Sequence, residues 1–166
     1  MAEVQRAPLP DDKRERYAAL RAEIAAVVAG EPNRIARFAS AASLLAEAFP
    51  DRFFWTGFYL VDPDRPRELV IGPYQGALGC LRIPFDKGVC GACASQRESI
   101  IVPDVNAFPG HIACDSRSNS EIVTPVFDSR GELVAVLDVD STQFNAFDAI
   151  DEAGLRAICA DLLTVG

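Results

Sequence analysis

The sequence predicts an α+β domain built on one antiparallel sheet with helices packed on it. Helical periodicity opens and closes the chain, whereas its middle is a run of short β-rich segments separated by turn residues and paired twice as hairpins. Scale is the third observation: 166 residues, 49% of them hydrophobic, fit a single core. Residues 1–166 are therefore read as one domain, with 1–30 as its N-terminal helical segment.

The first helix is expected from Asp11 to Val28, where Tyr17, Leu20, Ile24 and Val27 share a face, Asp11 or Asp12 offers an N-cap and Gly30 lies just beyond the end. A second follows Pro32 and carries Ile35, Phe38, Ala42, Leu45 and Phe49 until Pro50 stops it. The stretch from Phe53 to Val61 is aromatic and β-branched. DPDRP (62–66) then reads as a turn and ELVIGPY as a returning strand, weakened and bent at Gly72 and Pro73. CLRIPF (80–85) is a short strand, GVCGACASQR (88–97) a short helix and SIIV a further strand. From Pro103 to Ser120 the composition is polar and irregular, and loops of that length inside compact domains are usually functional or disordered. EIVTPVF (121–127), the turn DSRG and ELVAVLDVD (132–140) form a second hairpin. Asn145 is expected to cap a last helix that turns Leu155, Ile158 and Leu162 inward.

A formal net charge of −8 repels phosphates and anionic membranes, which argues against nucleic-acid or membrane partners. The opening MAEVQRAPLPDDKRERY has no apolar signal region and no stretch is long and apolar enough to span a bilayer, so a cytoplasmic protein is expected. In that reducing compartment, five cysteines point to thiol chemistry, metal binding or burial rather than a disulfide framework.

Cys159, one position beyond Ile158 in an apolar helix, reads as core. Cys114 lies in the polar loop beside His111, Asp115, Arg117 and Asn119, where it is accessible and where a thiolate can find a cation or backbone donors. CGAC (90–93) has dithiol spacing at a helix start, but its small residues suit close packing of helix on sheet equally well. Cys90 and Cys93 with His111 and Cys114 also make a minority case for a zinc-stabilised domain. In LDVDS, Asp138 and Asp140 share one strand face, with Glu121 beside them if the turn sets a normal register. Such like charges need a proton, a cation or a ligand, or else a solvated edge. Trp55 and Tyr59 share a face as well, as an aromatic wall or as core.

The segments WTGFY (55–59), GPYQG (72–76), CLRIPFDKGVCGACA (80–94), FPGHIACDSRSNSEIVTPV (108–126) and GELVAVLDVDS (131–141) resemble the free methionine-R-sulfoxide reductases, a GAF-domain family. The resemblance implies a GAF-like fold around a small cavity, a homodimer, and turnover of free methionine sulfoxide with thioredoxin as electron donor and no metal, flavin or nucleotide. By position it implies Cys114 as the catalytic cysteine, Cys80 as the main resolving cysteine and Cys90 as a further cysteine able to assist thiol exchange. Trp55 and Tyr59 would pack around the substrate methyl and thioether, and Glu121, Asp138 and Asp140 would bind its polar end. Cys93 departs from the family pattern. The competing reading is a GAF module that senses a small molecule without catalysis, against which the Cys114 loop and the phosphate-repelling aspartates stand.

Overall fold

The computed structural model describes residues 6–163, so both ends of the expected 1–166 domain lie outside the described residues. Its helices are α1 (Lys13–Val27), α2 (Arg34–Ala48), α3 (Gly88–Gln96) and α4 (Ala149–Leu162). The strands are β1 (Trp55–Asp62), β2 (Arg65–Gln75), β3 (Arg82–Pro84), β4 (Ile100–Val102), β5 (Ser120–Phe127) and β6 (Leu133–Ser141). They form one six-stranded sheet, ordered β3-β2-β1-β6-β5-β4, with every neighbouring pair antiparallel. This is the α+β arrangement expected from the sequence, with both predicted hairpins in place.

Side-chain alternation divides the sheet into two unlike faces. Phe58, Ile122, Val126, Ala135, Leu137 and Val139 point toward α2 and α4, over which α1 packs, and the Phe38 and Phe58 rings stack with centroids 4.4 Å apart. Trp55, Tyr59, Val123 and Val136 point the other way, toward α3 and the long loop after β4. The ladder fixes which polar residues share that second face. In it Asp138 pairs with Gly57 on one side and Val123 on the other, and Asp140 pairs with Trp55 and Glu121.

Several local expectations need correction. Val27 is 56% exposed, and Val28 takes the buried position after Tyr17, Leu20 and Ile24, as a 3.6-residue period allows. Ile35 is 47% exposed in the first turn of α2, whose buried stripe starts at Arg37 and Phe38. Asn145 does not cap α4. It sits at φ +52 in the connecting turn, a left-handed conformation that asparagine tolerates, and its N–H donates to Pro103 O at 2.9 Å. Asp148 is the cap, accepting from the Ile150 and Asp151 amides while Asp151 reaches back to the Asp148 N–H, a reciprocal capping box. The buried Asp151 carboxylate also accepts from Tyr17 Oη at 2.9 Å, Lys13 Nζ at 2.9 Å and Arg52 at 3.1 Å, tying α4 to α1 and to the entrance of β1. Gly72 and Pro73 mark the expected bend in β2. They coincide with a register irregularity against Gly57–Tyr59, and the strand runs on to Gln75. β3 is shorter than expected, so Cys80 stays in the loop before it.

Candidate active site

A pocket of about 530 Å³, a volume that includes solvent at its mouth, opens on the α3 face of the sheet. Its floor is built from alternate residues of β1, β5 and β6, one wall is the start of α3, and the rim comes from residues 78–79 and 111–118. Of the catalytic and substrate-binding residues expected from the resemblance, all but Cys80 line it: Trp55, Tyr59, Cys90, Cys114, Glu121, Asp138 and Asp140. Cys80 reaches it through the Cys114 partner described below.

The aromatic wall follows from strand geometry. Trp55 and Tyr59 stack at 5.7 Å, Tyr74 stacks on the other side of Trp55 at 5.1 Å, and the Trp55 indole N–H donates to Ala77 O at 2.8 Å. Gly57 is required between them, because a Cβ there would overlap both the Trp55 ring and Tyr74. Gly91 has the same role in α3, where a Cβ would overlap Pro84 O; Cys93, fully buried beside it, is core. The small-residue character of CGAC therefore serves close packing. Cys90 and Cys93 are both buried free thiols, with no disulfide between them.

The three carboxylates converge on the floor. Glu121 and Asp138 are buried and Asp140 is partly buried. Burial is the main cause that raises all three pKa values well above the ordinary range, reinforced at Glu121 by Asp140, at Asp138 by Glu121 and at Asp140 by Asp138. Hydrogen bonds oppose the rise at all three, from Asp138 to Glu121, from Cys90 to Asp138 and from Ser118 to Asp140. Asp138 Oδ1 is buried without a hydrogen-bond partner. Such crowding out of water favours the protonated form within the cluster and suits a cationic or proton-accepting ligand group. Burial, then the neighbouring acids, also raises the Tyr59 pKa, so its hydroxyl stays an O–H.

Two pocket residues have no part in substrate binding or catalysis on the sequence reading, although His111 enters it as a candidate zinc ligand. His111, the chain's single histidine, places Nε2 3.5 Å from Glu121 Oε2, and burial lowers its pKa. Ser118 is buried against Asp140. The signal for both lay in GHIACD and SNSE. Those residues also pin the long loop: Asn119 N–H donates to Ser141 O at 2.8 Å, Asn119 Nδ2 to Thr142 O at 2.7 Å and Ser120 Oγ to Gln143 O at 2.6 Å.

At the mouth, Cys114 is exposed and bonded to Cys80 in a disulfide, with a Cα–Cα distance of 5.4 Å. The candidate zinc set of Cys90, Cys93, His111 and Cys114 is not assembled: Cys114 is bonded to Cys80, and the group of potential ligands among the described residues is Cys90, Glu121 and Asp138. Arg117, beside Cys114 in sequence, is held by Asp115, whose carboxyl it lowers to about 2, and lies over the Phe54 ring at 4.7 Å.

A single antiparallel sheet with three helices on one face and, on the other, a pocket walled by a short helix and a long loop is GAF architecture, and residues 38–163 match the GAF domain family. The chain is 49% identical to GAF domain-containing protein A of Dictyostelium discoideum, over 88% of this chain and 89% of that protein. It is 44% identical to the free methionine-R-sulfoxide reductase of Escherichia coli, over 91% of this chain and 88% of that one. The structure superposes at a TM-score of 0.88 on free methionine-R-sulfoxide reductase from Neisseria meningitidis in complex with its substrate, at 42% identity, covering 98% and 93% of the two chains. The chain belongs to the free methionine-R-sulfoxide reductase family of GAF-domain proteins.

Proposed function

We propose that this chain reduces free L-methionine (R)-S-oxide to L-methionine, with Cys114 as the attacking thiolate and Cys80 as the resolving thiol. The observation that carries the reading is one arrangement: an accessible cysteine pair at the mouth of a pocket whose floor gathers three carboxyls that burial and mutual repulsion push toward protonation. A pocket that only sensed ligands would need neither feature, and the named relatives support the reductase reading.

An oxygen anion is a poor leaving group, so the sulfoxide oxygen must be protonated as sulfur is attacked. The clustered carboxyls supply that proton, and the charge remaining among Glu121, Asp138 and Asp140 pairs with the substrate ammonium, which favours the free amino acid over a peptide-bound residue. Trp55 and Tyr59 offer an apolar wall for the methyl and thioether groups. Cys114 thiolate attacks sulfur, oxygen transfers with the proton to give a Cys114 sulfenic acid, and methionine leaves. The Cys80 thiol then displaces water to form the disulfide, and an external dithiol returns both cysteines to thiols.

Thioredoxin is the proposed dithiol. Leu78 and Leu81, on either side of Cys80, are 77% and 70% exposed and offer a protein reductant an apolar rim. The reading further includes a homodimer in the cytoplasm; no helix among the described residues is long and apolar enough to cross a membrane.

Methionine release from the separate R and S epimers, with a thiol reductant, tests the activity. Wild type is expected to act on the R epimer alone. Prereduced Cys114→Ser should release nothing, whereas Cys80→Ser should complete a first turnover and then stall. Equal loss of the first turnover in both variants would overturn the assignment of roles.

A further inference from the structure

Cys90 is the pocket thiol that this reaction sequence leaves unused. It stays a free thiol while Cys80 and Cys114 are bonded, and it is 3% exposed. Its Sγ faces Glu121 Oε1 at 4.0 Å, and Cys90, Glu121 and Asp138 bring one polar atom each within 4.8 Å of one another. Two influences compete there. The start of α3 favours a thiolate through its unpaired N–H groups. Burial disfavours one, as does the negative charge of Asp138, Glu121 and Asp140, and together they raise the Cys90 pKa well above its ordinary value. Burial wins because a thiolate here would add charge to an enclosed anionic cluster.

A cysteine held as S–H is a poor nucleophile but still a hydrogen-bond donor. The floor is short of one donor, since Asp138 Oδ1 is buried with no hydrogen-bond partner. We propose that Cys90 is a positioning residue for the substrate site, its S–H holding Glu121 and Asp138 at the spacing that receives the substrate, and that it carries no electrons. The inference rests on the reductase reading and replaces the thiol-exchange role that family resemblance suggests for this position.

The test compares Cys90→Ser, which keeps a donor, with Cys90→Ala, which removes it. Kinetics on the free R epimer with a dithiol reductant should leave Cys90→Ser turning over repeatedly, with KM within about threefold of wild type. Cys90→Ala should raise KM roughly tenfold to a hundredfold with a smaller change in kcat, because the buried carboxyl pair loses its thiol donor. In infrared difference spectra of prereduced wild type against Cys90→Ser, an S–H band should be present at neutral pH. A normal first turnover followed by a stall in Cys90→Ser would make Cys90 an electron carrier and overturn the proposal. So would a wild-type KM in Cys90→Ala, or the absence of the S–H band. If wild type itself releases no methionine, the activity proposed above falls, while the S–H band still decides whether Cys90 is a buried donor.

Discussion

The two faces of the sheet are made by the same strands yet follow opposite rules. Along β6, Ala135, Leu137 and Val139 bury apolar side chains against α2 and α4, while Val136, Asp138 and Asp140 face the pocket and bring two acids out of water. On the helix side every local preference agrees with the fold: apolar stripes, capped helices, and a buried Asp151 with a full set of donors. On the pocket side they conflict, with like charges side by side and an unpartnered oxygen. The difference assigns the faces their work, since one supplies stability and the other holds unfavourable groups in place at its expense.

Truncation of the helix-side core should give the largest effect on stability. Phe58→Ala removes a fully buried ring stacked on Phe38 and is expected to lower unfolding free energy by about 3–5 kcal/mol, measured by urea denaturation. A loss below about 1 kcal/mol would mean that this face is not the mainstay of the fold.

The pocket face should respond with the opposite sign. Asp138→Asn keeps the shape and removes a buried carboxyl whose pKa is raised by burial and by Glu121, so stability at neutral pH should rise by about 1–3 kcal/mol while kcat/KM falls on the order of a hundredfold or more. Destabilisation by this change would place Asp138 in a compensated network and erase the contrast between the faces.

How far each face was legible follows from the range of its interactions. Period-2 alternation put Asp138 with Asp140 and Trp55 with Tyr59 from strand geometry alone, and a short turn then set Glu121 opposite Asp140. Local pattern did not reach what depends on chain closure over distance. Cys80 and Cys114 are 34 residues apart and meet only because two loops cross the same pocket mouth, so their pairing came from family resemblance and not from spacing. Nor could local pattern choose among capping candidates. Asn145 and Asp148 are both good caps, and the left-handed turn that Asn145 must make leaves the role to Asp148. Arg37 shows the same limit: it is buried in α2 because its guanidinium donates to Leu162 O at 2.9 Å, a partner on another helix.

The smallest effect is expected at that cap, and its pH dependence separates the faces most cleanly. Asp148→Ala should cost about 1 kcal/mol at neutral pH, because the side chain accepts from two amides at the start of α4. The hydrogen bond from Lys13 holds the Asp148 pKa at about 2, below its ordinary 3.8. Its contribution is therefore fully present above 3.8 and lost as pH falls through 2. Asp138 runs the other way: a folded pKa above 3.8 means that the native state holds a proton the unfolded chain releases, so its penalty is absent below 3.8 and grows as pH rises. Denaturation of both variants across acid to neutral pH should thus give two differences from wild type that vanish together at the acid end and diverge with opposite signs. Curves that diverge with the same sign would mean that the pocket acids are ionised and paired in the native state, and the sheet would no longer have one face that stabilises and one that is held against its own repulsion.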